Sequence, residues 1–289
     1  MNVASQLPHA QVTVVGLGLM GGSLAAALMA RHACRRVVGV ARREETVTQA
    51  IDMGIVHQGT CHLDEGVWDA DAVVLATPVR AVIELIGRIG PLLPPGCLLT
   101  DVGSTKQAVV QAMQALPPHV QPVGGHPMCG KETAGLSGAD PSLYEGATYV
   151  LTPLARTSDA ALALARELTQ AVGARPLLLD APRHDVLVAA ISHLPYLLAA
   201  GLVATAEGLA DERVWKVAAS GFRDATRLAA SDETMMLDIL LTNRTAVRQA
   251  LARFEDQLAD LTRLLETSDA IGLRAAMTAA AQRRRRLFR

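Results

Sequence analysis

The stretch Gly124-Gly125-His126-Pro127-Met128 sets a histidine in what reads as a glycine-rich loop, where backbone can come close to a ligand. A neutral imidazole accepts a proton near pH 7, so His126 is a candidate general base. Asp101-Val102-Gly103-Ser104-Thr105-Lys106 offers a hydroxyl and an ammonium. Ser104 is placed to cap a helix expected to begin there. For Lys106 the alternative reading is a surface lysine. Thr77, in Ala76-Thr77-Pro78, is placed to line a bound cofactor. His9, His32, His57, His62 and His119 have no such setting and read as structural.

Gly16-Leu17-Gly18-Leu19-Met20-Gly21 is a GxGxxG between the apolar run QVTVV and the small-residue run GGSLAAALM. In that context Gly16 serves a tight turn, Gly18 a close approach to pyrophosphate, and Gly21 close helix–sheet packing. The helix start, from Leu19 and Met20, offers free N–H groups and partial positive charge to phosphates. An NAD site usually has Asp or Glu at the end of the next strand, on the ribose hydroxyl. Here the sequence reads Val40-Ala41-Arg42-Arg43. Arginines there suit a 2′-phosphate, so NADP is the expected cofactor, with NAD the alternative.

The elements that would carry these residues follow from the apolar pattern. Strands are expected at 11–15, 36–40, 72–76, 97–101, 120–124, 147–151 and 175–179. Helical stretches lie near 21–32, 44–53, 79–90, 104–115 and 158–173. The strands are apolar throughout, as expected where both faces are covered. This alternation predicts an α/β fold: a doubly wound, mainly parallel Rossmann-type nucleotide-binding domain over 1–180. Such sheets bind ligands beyond the strands' C-terminal ends, where Thr77, Ser104 and His126 all fall. Residues 181–289 read as all-helical, with Pro195 expected to kink or break one helix. In 243–267, Val247, Leu251, Phe254, Leu258, Leu261 and Leu265 form one helical stripe. It faces either the core of its own bundle or a second subunit.

Composition narrows the rest. Half the residues are hydrophobic but only 3% aromatic, so the core must rest on Ala, Leu and Val. A net charge of −1 gives no reason to propose nucleic acid or membrane as a partner. Arg283 to Arg286 and Arg289 read as a solvated helix end. Cys34, Cys61, Cys97 and Cys129 show no CxxC spacing, so no metal is expected, and they fit a reducing cytoplasm. Residues 1–10 lack the blocks of a signal peptide. No apolar run is expected to reach the ~18 residues that span a bilayer.

GLGLMGGSLA, TDVGSTK, GGHPM, ISHLP and SGFRDATR, in that order over roughly 11–245, resemble the successive signatures of prephenate and arogenate dehydrogenases. The resemblance implies a nucleotide-binding domain followed by an all-helical domain that forms a homodimer. It implies oxidative decarboxylation of a cyclohexadienol, with His126 catalytic and Ser104 near both ring hydroxyl and nicotinamide. It also implies substrate contacts from Arg223, His184 and His193. An arginine fork matches a carboxylate bidentately. His184 would orient a substrate carboxylate or bond to backbone. Tyr196 stands where many prephenate users have His, which points towards arogenate. Asp224, Asp232 and Glu233 are candidates to meet arogenate's ammonium. Arg227 is expected to pair with Asp224 or another carboxylate. The helical region is expected to end the chain, without an appended ACT-type or chorismate mutase domain. A β-hydroxyacid dehydrogenase usually has its catalytic lysine in the helical part, where Lys216 stands alone. A non-catalytic NADP-binding sensor would leave His126, Ser104 and Arg223 without purpose.

Overall fold

The computed structural model describes residues 5–287; Arg289 of the basic cluster and residues 1–4 lie outside the described residues. Eight strands form one sheet in the order β3-β2-β1-β4-β5-β6-β7-β8. They are Gln11–Val15 (β1), Arg36–Val40 (β2), Gln58–Thr60 (β3), Ala72–Leu75 (β4), Leu98–Asp101 (β5), Gln121–Pro127 (β6), Thr148–Pro153 (β7) and Arg175–Leu178 (β8). Every pairing is parallel except β6 with β7. The helices among them are Leu19–Ala30 (α1), Glu44–Asp52 (α2), Leu63–Val67 (α3), Val79–Ile89 (α4), Gln107–Gln114 (α5) and Asp159–Ala171 (α6).

Period-two alternation assigns each strand residue to one of two cores. Val12, Val14, Val74 and Leu98 pack with Leu24, Leu28, Leu164 and Leu168 of α1 and α6. Val15, Val73, Leu75 and Leu99 pack on the other face with Val82, Ile86, Val109 and Met113 of α4 and α5. Both faces are covered, so the strands are β-branched and apolar without alternating. Thr13, a polar side chain in β1, is satisfied by Gly66 O at 2.7 Å. The doubly wound class holds, with three local differences. β3 and α3 were not expected, because Gln-Gly-Thr has no apolar side chain; Gly59 instead lets β3 lie against Val47 at the sheet edge. β8 is the other edge, and its Leu177 and Leu178 are exposed, contrary to the expectation of full coverage. β6 runs on through His126 to Pro127, so the histidine lies on a strand and not in a loop.

After β8 no strand occurs among the described residues. Ala181–Val188 (α7) leads through a π turn, Ala189–His193, into Leu194–Glu207 (α8). Then come Arg213–Val217 (α9), Ser220–Thr226 (α10), Glu233–Thr242 (α11), Arg244–Glu266 (α12) and Ala270–Leu287 (α13). Pro195 sits in the first turn of α8, directly after the π turn. Its missing N–H breaks the regular ladder, and the wider turn carries the helix through. Ala181–Glu207 is therefore one 27-residue helical run, and an 18-residue window within it has mean hydropathy 2.0, long and apolar enough by composition to cross a membrane. This corrects the expectation that no run reaches that length. It carries the buried polar residues His184, Asp185 and His193, while Ile191 and Leu202 are exposed.

The described chain divides after Asn243 into two compact units. In the second, α12 and α13 form a helical hairpin whose turn is fixed by Asp269 accepting from Gly272 N at 2.9 Å. Along the stripe of α12, Val247 is buried whereas Leu258, Leu261 and Leu265 are exposed.

Candidate active site

The chain turns back across the sheet between β1 and β4, so the crevice beyond their ends is the switch point where such folds bind ligands. Gly16 there has φ +103°, and a Cβ would lie 2.6 Å from Ala76 O. A Cβ on Gly21 would fall 2.0 Å from Gly16 O. Only glycine fits either position. A Cβ on Gly18, the N-cap of α1, would meet nothing within 4 Å, so that side is open to a ligand. Tyr144 OH donates to Met20 O at 2.9 Å and pins the helix start. The Thr77 hydroxyl is buried without a protein partner. Open space at Gly18, an uncapped helix start and an orphaned hydroxyl together fit a dinucleotide's phosphates. Gly16 N donates to Val40 O at 2.8 Å, which brings the end of β2 beside this turn. Arg42 and Arg43 follow it, exposed, with Glu44 and Glu45 already in α2.

The polar centre lies beyond β5 and β6. Asp101 Oδ2 binds Lys106 Nζ and accepts from Gly103 N at 2.8 Å, while Oδ1 accepts from Gly125 N at 2.9 Å. Both charged side chains are fully buried, which corrects the reading of Lys106 as a surface residue. Burial lowers the lysine's pKa, against the raising influence of Asp101. A Cβ on Gly125 would sit 2.3 Å from Asp101 O. Gly125 thus allows close contact between β6 and the end of β5. Ser104 is half-buried and caps nothing: α5 starts only at Gln107. Its first N–H groups go to the Asp185 carboxylate of α7, Lys106 N to Oδ1 at 2.7 Å and Gln107 N to Oδ2 at 2.9 Å.

His126 is half-buried. Its Nδ1 lies 2.8 Å from His184 Nε2, the rings meeting edge to face at 70°. His184 Nδ1 lies 2.8 Å from Asp185 Oδ1. Burial holds His126 well below the usual imidazole range, and the neighbouring Lys106 ammonium works in the same direction. His193 falls to about 4, chiefly through burial, with Asp185 pulling the other way. Burial works to raise Asp185, but hydrogen bonds from His184, Gln107 N and Lys106 N outweigh it and leave it low. Asn243 Nδ2 donates to Asp185 O at 2.8 Å and lies 3.3 Å from His193 Nδ1. In an unbroken α-helix, residues nine apart point to opposite sides. The π turn shifts that phase by roughly a quarter turn, and His184 and His193 are both buried at 1% exposure.

The structure thus brings His126, His184 and His193 together around Asp185. It does not join Arg223 to them: that side chain is 80% exposed on α10, 3.7 Å from Asp224. Arg227 pairs with Glu132, not Asp224. Asp232 caps α11, accepting from Met235 N at 2.7 Å. His57 and His119 are structural, bonded to Val37 N and Leu93 O. Sequence reasoning missed Asp185 and Asn243. The signal for Asp185 was a carboxylate beside His184 within an otherwise apolar helix.

A dinucleotide crevice at the switch point of a doubly wound sheet, with a histidine cluster at the end of β6, two strands beyond β4, fits a nicotinamide-dependent dehydrogenase. The comparisons narrow that class. Residues 24–178 match "Prephenate dehydrogenase, nucleotide-binding domain" and residues 180–279 match "Prephenate dehydrogenase, dimerization domain". Prephenate dehydrogenase of Bacillus subtilis (strain 168) is 35% identical over 269 residues, 91% of this chain and 72% of that protein. Prephenate dehydrogenase from A. aeolicus, solved with hydroxyphenyl propionate and NAD+, superposes with TM-score 0.91 at 30% identity, over 98% of this chain and 99% of the other. Synechocystis arogenate dehydrogenase does so with TM-score 0.83 at 28% identity, over 96% and 99%. The chain belongs to the prephenate dehydrogenase family.

Proposed function

We propose that the chain oxidatively decarboxylates arogenate, prephenate or both, with NADP as the preferred hydride acceptor. The observation that carries this is His126, at the end of β6 with its Nδ1 2.8 Å from His184 Nε2 and its pKa lowered by burial. When bound, the nicotinamide accepts hydride from the ring carbon that bears the hydroxyl. His126 takes the hydroxyl proton as that hydride leaves, and Ser104 holds the hydroxyl. Decarboxylation then restores the aromatic ring. Gly16, Gly18, Leu19, Met20, Gly21 and Thr77 would hold the dinucleotide. Arg223 and His193 are the proposed substrate contacts, although Arg223 stands clear of the histidines in the single chain. His184, first expected to be a third, is buried with both ring nitrogens engaged and acts through His126 instead.

Exposed Arg42 and Arg43, with no carboxylate at the end of β2, support a 2′-phosphate. The NAD+ in the A. aeolicus relative favours NAD-linked prephenate oxidation as the second reading. For arogenate, Asp224 and Glu233 remain the candidates at the ammonium, since Asp232 is engaged as a helix cap. Steady-state kinetics over the four substrate–cofactor pairs test the whole assignment. Arogenate with NADP should give the highest kcat/KM, and Arg42→Ala should weaken NADP and leave NAD little changed. A tenfold preference for prephenate, about 1.4 kcal/mol of transition-state discrimination, would end the arogenate reading.

A homodimer on the helical region, 181–289, is part of the proposal. The exposed Leu258, Leu261 and Leu265 of α12 support it, because a stripe filling its own bundle would be covered. The four cysteines are free, which suits the proposed cytoplasmic location.

A further inference from the structure

We propose that Asp185 is a positioning residue: acting through His184, it determines which ring nitrogen of His126 carries the proton. The inference rests on His126 as the proton acceptor and assigns a device that makes it one.

Every partner of the Asp185 carboxylate on α5 is a donor. Oδ1 takes Lys106 N and Oδ2 takes Gln107 N. Those two N–H groups open α5, and the helix's positive end favours a negative charge there. Asp185 is therefore an acceptor only, and its remaining capacity at Oδ1 meets His184 Nδ1 at 2.8 Å. His184 must donate from Nδ1. In the neutral ring its Nε2 then has only a lone pair, and it lies 2.8 Å from His126 Nδ1. His126 must donate in turn, so its own proton sits on Nδ1 and its Nε2 is left as the basic atom. One carboxylate sets two tautomers in series. Its backbone is held as well, by Asn243 Nδ2 on Asp185 O at 2.8 Å. An asparagine in place of Asp185 keeps the shape but turns an NH2 towards α5 or towards His184. Presented to His184 Nδ1, that NH2 reverses both rings and puts a proton on His126 Nε2.

The test uses the intact protein labelled with 15N-histidine, its His126 signals assigned by their loss in His126→Asn. At neutral pH, the native protein should show the proton on Nδ1 of His126. A proton on Nε2 would overturn the proposal, whether or not any variant folds. Asp185→Asn should move that proton and lower kcat by ~10²-fold or more, the range for losing a general base, with KM little changed. The combined variant should be no slower than the slower single one, because both act through one atom. Losses that multiply would mean that Asp185 merely supports the fold, and would sink the idea. If His126→Asn itself retains turnover, the base assignment fails instead, while the native tautomer still reports on Asp185.

Discussion

Burial, above all, and the Lys106 ammonium close by both push the His126 imidazole in one direction. Lowering the pKa of a histidine favours its neutral, proton-accepting form. The base should therefore stay competent as pH falls below about 6.5, the ordinary histidine value. We expect the acid limb of kcat/KM to lie below that value, and His126→Asn to lower kcat by ~10²-fold. An acid limb above pH 6.5, or turnover within a factor of a few of normal, would remove His126 from this role. At this scale the sequence was legible where a residue type sits at a strand's end. Thr77, Ser104 and His126 could be placed by counting from apolar runs. Lys106 could not, because its charge says "surface" until Asp101 is seen beneath it. Asp185 escaped because its partners lie some 80 residues earlier, at a helix start that the sequence put three residues too soon.

The elements were read more fully than their junctions. Strands 11–15 and 36–40 match β1 and β2 to the residue, since β-branched runs buried on both faces have little freedom to shift. Edges were harder: β3 has no hydrophobic content to announce it, and β8 is exposed despite its leucines. The π turn was invisible as well, because a proline signals only that the ladder must change. Where β6 meets β5, the contact is close enough to test. Gly125→Ala would drive a methyl to 2.3 Å from Asp101 O. That contact cannot be relieved by rotating a side chain. We expect a loss of stability of roughly 1–3 kcal/mol, read as a lower urea midpoint, with the Asp101–Lys106 pair displaced and turnover reduced. A variant as stable and active as the parent would show that the strands tolerate separation.

At the scale of the whole molecule, the apolar surface left on α12 calls for a covering partner. Sedimentation at micromolar concentration should give a dimer. Leu258 is half exposed in the single chain, so Leu258→Lys should weaken assembly while leaving the subunit folded. A native monomer would overturn the dimer. The buried pair at the centre has another consequence. Lys106, Lys131 and Lys216 are the lysines of this chain, and only Lys106 is sealed within it. An acylating reagent meets Lys131 and Lys216 at once, but Lys106 only when the ends of β5 and β6 part. The rate at which Lys106 gains mass is thus a clock for the opening of the active centre, carried by the unaltered protein and readable without any reporter group.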